Sequence, residues 1–231
     1  MSGLAHDGET IKLGRVLGVA PERLAFLASV DVDTLRVLRE RLAGTLLEDA
    51  RPLLQRAVKG ARLLTVGMVA SIGERVFGAL LCAHMAGIME PARAVEVSLR
   101  MSLPFLADVS AMLEPKRAAA VIAAMPTGTI VAVAKILAER NDHVTLARFV
   151  GYLGDATVLA VIAAIPGDEP LMRTAAFLET REISTRMLAL VPVERLRSVV
   201  RYLEEARVDV AALGLEALRA ELDAVLSARA P

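Results

Sequence analysis

Residues Met89–Leu113 read MEPARAVEVSLRMSLPFLADVSAML, and residues 114–137 continue as EPKRAAAVIAAMPTGTIVAVAKIL. With a shift of 24 residues, the same amino acid recurs at many positions of the two stretches. The recurring pairs include Pro91/Pro115, Arg93/Arg117, Ala94/Ala118, Val97/Val121, Met101/Met125, Val109/Val133 and Leu113/Leu137. Self-similarity at a fixed period is typical of repeat proteins. We therefore expect a stack of similar structural units.

A proline-marked phrase indicates what each unit contains. VIAAMP ends at Pro126, VIAAIP ends at Pro166, and the looser MLALVP ends at Pro192. Proline cannot continue a helix and disfavours helical backbone at the residue before it. Each phrase therefore predicts the end of one short helix and the start of another. Because apolar residues recur at helical spacing elsewhere and no stretch alternates like a strand, the sequence predicts an all-α fold.

The chain divides into three predicted parts that form one continuous globular unit. Residues 1–89 are expected to be an N-terminal helical segment, with Asp33 as the N-cap of a leucine-rich helix. Residues 90–206 are expected to form an α-superhelix, or solenoid, of short helical pairs packed on that segment. Residues 207–231 carry leucines at heptad-like spacing and are expected to supply a C-terminal capping helix, because solenoid ends need a polar outer face.

Composition excludes some classes of function. The 231 residues contain 27 basic and 27 acidic side chains, which argues against an electrostatic nucleic-acid-binding protein but is compatible with a basic face balanced by an acidic one. A hydrophobic content of 55% indicates a chain that is well buried, oligomeric or bound to something apolar. The single cysteine excludes an internal disulfide and fits a reducing compartment. We expect no signal peptide, no membrane span and a cytoplasmic protein.

The most apolar segment, residues 61–89, is predicted to form one or two helices at the centre of the fold, which are either buried or face an apolar partner. Glu74 and Arg75 are its only formal charges after Arg62, and a buried charge is either paired or functional. Structural pairing is one interpretation. In the other, Glu74, Arg75, His84 and Met85 surround a ligand in an interhelical cavity near residues 61–125.

No metal, cofactor or catalytic centre is predicted. Cys82 and His84 would point to different faces of a helix and make a poor chelate, and haem ligation by His84 is a weaker alternative to a core histidine. Asp142 and His143 resemble an acid/base pair in a loop, but capping of the next helix by Asn141 or Asp142 is the simpler interpretation. Nucleophile and phosphate-loop motifs are absent from the sequence.

From Glu90 to about Ala206, the chain resembles the cytosolic N-terminal domain of MgtE magnesium channels and the related helical superhelix of the flagellar motor protein FliG. The phrases MEPARAVEV, LEPKRAAAVIAAMP and VPVERLRSVV carry this resemblance. It implies a superhelical fold, and the chain is not the channel itself. That family is usually acidic at positions where this chain has basic residues. These residues are Arg93, Lys116, Arg117, Arg195 and Arg197. The resemblance therefore implies no metal site in this chain.

Two functions fit this sequence best. The first is a non-enzymatic cytoplasmic scaffold or regulatory module that binds a protein partner or itself, as in a homodimer, through a surface containing Arg93, Lys116 and Arg117. The alternative is a carrier or sensor of an apolar, lipid-like molecule in the cavity near residues 61–125. An enzyme is the least favoured hypothesis and would depend on His84 or His143.

Overall fold

The computed structural model describes residues 3–205 and 216–228. Of the described residues, 79% are helical and none lies in a strand, which confirms the all-α fold. The α-helices are α1 (Gly3–Leu17), α2 (Val32–Ala61), α3 (Val66–Ile72), α4 (Gly78–Ala86), α5 (Pro91–Ser98), α6 (Leu103–Met112), α7 (Ala119–Ala124), α8 (Thr127–Glu139), α9 (His143–Val150), α10 (Asp155–Ala164), α11 (Glu169–Ala176), α12 (Arg181–Leu190), α13 (Val193–Glu205) and α14 (Glu216–Ala228). A 3₁₀ turn spans Pro21–Leu27, and a π-helical turn spans Gly73–Phe77.

The first two helices pack together around the buried Leu13 and Leu35. The prediction that Asp33 caps α2 was wrong, because Asp31 is the N-cap and its carboxylate accepts a 2.9 Å hydrogen bond from the Thr34 amide. Asp33 lies two residues further on, inside the first turn. An N-cap side chain must reach the amide two or three residues ahead, and Asp31 has that spacing to Thr34.

All three proline-marked phrases lie where one helix gives way to the next. Pro126 separates α7 from α8, Pro166 separates α10 from α11, and Pro192 separates α12 from α13. The helix–proline–helix unit predicted from the sequence is therefore confirmed at each of these positions.

The 24-residue similarity also has a counterpart in side-chain burial. Four of its matched pairs are buried in both copies: Ala94/Ala118, Val97/Val121, Val109/Val133 and Leu113/Leu137. Helix starts follow the same shift at one position, since α6 begins at Leu103 and α8 begins at Thr127. The repeated residues therefore form the core because each copy presents the same apolar face to its neighbours.

Helix neighbours follow a regular order along the chain. Helices α2, α4, α6, α8, α10, α12 and α14 each contact the next in that series. Among the odd-numbered helices, α3, α5 and α7 contact in turn, as do α9, α11 and α13. Helix α1 departs from this order by packing on both α2 and α9, so it joins the N-terminal part to the repeats.

A recurring arginine ties successive units together. Each of four arginines donates a hydrogen bond to a backbone carbonyl at or just beyond the C-terminal end of an earlier helix. The pairs are Arg93 to Leu64 at 2.8 Å, Arg148 to Leu113 at 2.9 Å, Arg186 to Leu153 at 2.7 Å and Arg195 to Ile165 at 3.1 Å. Helix C-termini carry partial negative charge and unpaired carbonyls, so a guanidinium there satisfies both.

Helix α14 is the last described helix. It packs against α12 and α13 and buries Leu222. Val225 packs partly against the same core. The predicted start of this segment at residue 207, together with the heptad-spaced Leu215, lies outside the described residues.

Candidate functional site

The apolar segment 61–89 is more broken and more exposed than its sequence indicates. It forms α3, the π-helical turn and α4, and Gly78 at the start of α4 has a φ of 73°, which other residues rarely adopt. Leu63 and Val76 are 89% and 71% exposed. Burial at the centre of the fold is therefore wrong for Leu63 and Val76, whereas Val69, Ala70 and Cys82 are buried.

Glu74 lies near the surface, and Arg75 is exposed, so the expectation that these two charges are buried does not hold. The Glu74 carboxylate accepts hydrogen bonds from the amide and hydroxyl of Ser102, the N-cap residue of α6. These bonds lower the pKa of Glu74 from its ordinary value. Neither Glu74 nor Arg75 lines the apolar cavities described next.

A first cavity of about 190 Å³ lies between the end of α2 and helices α3–α6, within the region where the sequence predicts one. We call it the α3–α6 cavity. Its lining is almost wholly apolar: Ala57, Gly60, Ala61, Leu64, Val69, Ile72, Gly73, Phe77, Cys82, Met85, Ala86, Met89, Ala94, Val97, Ser98, Met101 and Val109. Three of these residues are methionines, whose flexible thioethers adapt to irregular occupants.

A second cavity of about 140 Å³ adjoins the first. This α6–α10 cavity runs between helices of the repeats and is lined by residues such as Leu106, Ile122 and Ile162. Ala86, Ser98 and Val109 line both cavities. The two spaces are therefore neighbours that share part of their lining, and we call the pair the apolar passage.

Few polar groups border this passage. Ser98 is shared by both cavities, and Ser110, Thr129, Thr174 and the charged Arg195 border the second. The Ser110 hydroxyl already donates to the Leu106 carbonyl at 2.8 Å. Apolar cavities of about this size stay dry because water finds no hydrogen-bond partners in them. The passage is thus suited to an apolar occupant and offers little for acid–base chemistry.

Cys82 borders the α3–α6 cavity with its thiol buried. Burial, with a smaller effect of the Glu74 carboxylate, raises the pKa of this thiol to about 11. The thiolate is the reactive and metal-binding form of cysteine, so Cys82 is a poor nucleophile at neutral pH.

The other predicted ligand residues separate from one another. Met85 is buried and lines the α3–α6 cavity. His84 lies on a different face of α4 and lines a smaller, polar space with Arg117 that we call the charged cavity. Burial and the Arg117 guanidinium lower the pKa of His84, so its imidazole is neutral at pH 7.

Asp142 caps a helix, as the simpler interpretation of the 141–143 loop predicts. Its carboxylate accepts a hydrogen bond of 3.1 Å from the Thr145 amide and pairs with Arg15 at 2.9 Å. His143 is buried, and its Nδ1 atom lies 3.4 Å from the Thr174 hydroxyl. The Asp142 carboxylate is thus held by groups other than the imidazole.

Sequence reasoning missed a set of ion pairs inside the protein, which we call the buried ion-pair network: Glu9, Lys12, Arg39 and Glu179. Glu9 pairs with Lys12 and Arg39, both at 2.9 Å, and Lys12 also pairs with Glu179 at 2.6 Å. Glu9, Lys12 and Arg39 are only 2–4% exposed. Charged residues are rarely buried unless paired. The i, i+3 spacing of Glu9 and Lys12 is the one local signal of this network, because Arg39 and Glu179 lie far along the chain.

The predicted partner-binding residues differ in how far their side chains are engaged in contacts within the protein. Arg93 donates to the Leu64 carbonyl and pairs with Glu96 at 3.4 Å, so part of its guanidinium serves the fold. Lys116 and Arg117 are exposed in the turn before α7.

The described residues bear on whether the chain could hold a metal ion or cross a membrane. No group of three or more His, Cys, Asp or Glu side chains there is arranged to hold a metal ion. One stretch of those residues, Val66–Ala86, is long and apolar enough to cross a membrane by length and composition alone. Only 28% of its most apolar window is buried.

Comparison of the chain with protein families, characterised proteins and solved structures gave no match in any of the three.

Proposed function

We propose that the protein binds a small apolar, lipid-like molecule in the adjoining α3–α6 and α6–α10 cavities, as a carrier or sensor. The observation that carries the proposal is that the two apolar spaces are neighbours and share Ala86, Ser98 and Val109 in their walls. Ligand pockets are mostly apolar with a few polar groups, which is the chemistry of this lining.

The dimensions favour an elongated occupant. Cavities of about 190 and 140 Å³ would each hold only a compact hydrocarbon, whereas a chain running through both would fill them. Met85, Met89 and Met101 line the first cavity and would adjust to different chains. The apolar excess of the composition supports the same interpretation.

Native mass spectrometry of gently purified protein tests the proposal. We expect a small apolar adduct that is lost on denaturation, and saturable uptake of dodecanol by protein that has been stripped of the adduct. Ala86→Phe places a ring where the two cavities meet and should weaken dodecanol binding at least about tenfold.

Ala123→Phe is the matched control, because Ala123 is an exposed helical alanine. This variant adds the same apolar ring without filling either cavity and should bind dodecanol like the wild type. Equal dodecanol affinity in wild type and Ala86→Phe would contradict the proposal.

Exposed apolar side chains favour a second candidate, a cytoplasmic scaffold that binds itself or another protein. Met68, Val76, Phe77 and Leu80 are 39–71% exposed on α3, the π-helical turn and α4. Apolar side chains grouped on a surface are typical of interaction sites. We expect Val76→Asp to shift the protein towards the monomer in light scattering, and an unchanged mass would argue against self-association through this face.

We further propose that α5–α13 form a superhelix like that of the MgtE N-terminal domain. Support comes from the 24-residue pattern of burial and from the ordered contacts among odd-numbered and among even-numbered helices. A crystal structure in which these helices do not wind about a common axis would contradict this relationship.

A further inference from the structure

The charged cavity is separate from the apolar passage and has a different chemistry. Its volume is about 70 Å³, and its walls come from α1, α2, α4, the end of α6, the turn between α6 and α7, and α9. The ionisable residues that line it are Lys12, Arg15, Arg39, His84, Glu114, Arg117 and Arg148. None of its lining residues borders either apolar cavity.

The lining carries more positive than negative charge. Five of its side chains are cations at neutral pH, and Glu114 is its one carboxylate among the described residues. Lys12 and Arg15 have carboxylate partners of their own, Glu179 at 2.6 Å and Asp142 at 2.9 Å. Those two carboxylates are not part of the cavity wall.

Of the remaining three cations, Arg39 pairs with Glu9 at 2.9 Å, outside the cavity wall, and Arg117 and Arg148 are the least compensated. Glu114 lies 3.6 Å from Arg39 and 3.4 Å from Arg148, so it is shared between two guanidinium groups. Arg117 approaches only Glu48 among the carboxylates of the described residues, at 4.0 Å. The wall formed by Arg117 and Arg148 is thus incompletely neutralised.

Arg148 shows the imbalance most clearly. Its side chain is only 9% exposed, and it donates to the carbonyls of Ala111 and Leu113 in addition to Glu114. Burial lowers the pKa of Arg148 by more than Glu114 offsets. A buried cation without full compensation is stabilised by an anion that enters the space beside it.

We propose that the charged cavity binds a small oxyanion of the phosphate class between Arg117, Arg148 and His84. Guanidinium groups match the oxygens of phosphate with paired hydrogen bonds, and a low-dielectric pocket strengthens each of them. The neutral imidazole of His84 supplies one more donor. The volume suits a tetrahedral anion and is too small for a nucleotide to enter completely.

Thermal unfolding of the full-length protein in inorganic phosphate, at constant ionic strength, tests this site. We expect the melting temperature of the wild type to rise saturably with phosphate, because a ligand of the folded state stabilises it by mass action. Isothermal titration of the same protein with phosphate should give a matching Kd. A wild type without a saturable response to phosphate or sulfate would overturn the proposal.

Variants locate the site. Arg117→Ala should weaken phosphate binding at least about tenfold, because it removes a paired donor from a partly exposed position. Lys116→Ala is the matched control, since Lys116 is the exposed neighbouring cation and does not line the cavity. Equal phosphate affinity in the two variants would refute the assignment. If Arg117→Ala loses helix content, His84→Ala provides the same test.

Competition with phenyl phosphate separates the two possible sources of this ligand. Displacement of inorganic phosphate at similar concentrations would assign the site to phosphate monoesters that project out of the cavity mouth. Binding of inorganic phosphate alone would assign it to the free anion.

Discussion

The N-terminal junction and the apolar middle of this molecule are held together in opposite ways. At the junction, the buried ion-pair network joins α1 and α2 to Glu179. This residue directly precedes Thr180, the N-cap of α12. In the middle, helices α3–α6 meet through alanines, methionines and Gly73 and leave a cavity. A few ion pairs of defined geometry hold the junction together. The helices of the apolar middle are held by many apolar contacts, which leave part of the space between them unfilled.

This difference assigns separate roles to the two regions. Ion pairs inside a protein require one geometry, since a displaced partner leaves a buried charge. Apolar side chains lose little when they shift by one rotamer, and methionine has several rotamers of similar energy. The junction is therefore suited to holding the repeats in register, and the middle is suited to adapting to an occupant.

The largest expected effect comes from breaking the junction. Glu9→Ala leaves Lys12 and Arg39 buried without their shared carboxylate, which should lower the free energy of unfolding by about 3–5 kcal/mol. Urea denaturation followed by circular dichroism measures this change. Arg51→Ala, which removes an exposed pair with Glu48, should change it by no more than about 0.5 kcal/mol.

The contrast between the junction and the apolar middle would not hold if Glu9→Ala and Arg51→Ala had the same free energy of unfolding. Such a result would mean that Lys12 and Arg39 reach water or other partners when Glu9 is absent, and that the junction is as adaptable as the apolar middle.

Much of the fold was predictable from the sequence because its signals are local. Pro126, Pro166 and Pro192 end helices through steric effects on their own neighbours, and Asp142 caps α9 by reaching three residues ahead. The repeated residues Ala94 and Ala118 share their burial because similar units pack alike. The choice of Asp31 over Asp33 depended on where the chain first turns helical, which the pattern of apolar residues leaves uncertain by a few residues.

The sites were less predictable because they depend on contacts between distant segments. The region of the α3–α6 cavity and the position of Met85 agree with the apolar pattern. Glu9 and Lys12 have the i, i+3 spacing of a helical ion pair, but nothing near Glu9 in the sequence indicates that Arg39 also pairs with it. Glu74 was expected inside on the basis of its apolar neighbours, but the Ser102 N-cap provides a partner near the surface.

A second prediction tests whether the apolar middle excludes charge. With a pKa of about 11 instead of 9.0, Cys82 has about a hundredfold less thiolate at pH 8 than an ordinary cysteine. Alkylation by iodoacetamide should be slower in the folded protein by at least that factor than in urea, as measured by mass spectrometry. Dodecanol should slow it further, because Cys82 borders the proposed ligand site. If the alkylation rates in the folded protein and in urea differed by less than about tenfold, the cavity would be open to water.

The junction should also be the more sensitive region to acid. Burial alone would raise the pKa values of Glu9 and Glu179, but the neighbouring Lys12 and Arg39 outweigh it and hold both below their usual 4.5. Burial is likewise outweighed at Asp142, where Arg15 lowers the pKa below 3.8.

Because folding lowers these pKa values, the stability they provide is complete above the unfolded values and is lost as the pH falls through the folded ones. Urea midpoints should be constant from pH 7 to about pH 5.5 and fall steeply below about pH 4.5. A Glu179→Gln variant should show a shallower decline, and an identical profile would remove Glu179 from the acid-sensitive group.

The smallest effect distinguishes a local contact from the network beside it. Asp31→Ala removes the cap of α2, and Asp33→Ala removes an exposed carboxylate that pairs with Arg36. We expect the first variant to melt a few degrees below the wild type and the second to melt close to it, because only Asp31 satisfies a backbone amide that has no helical partner. A larger loss in Asp33→Ala would mean that Arg36, which also approaches Glu9 at 3.7 Å, depends on Asp33 for its position. The buried ion-pair network would then extend to the surface of α2, and the junction would depend on exposed charges as well as buried ones.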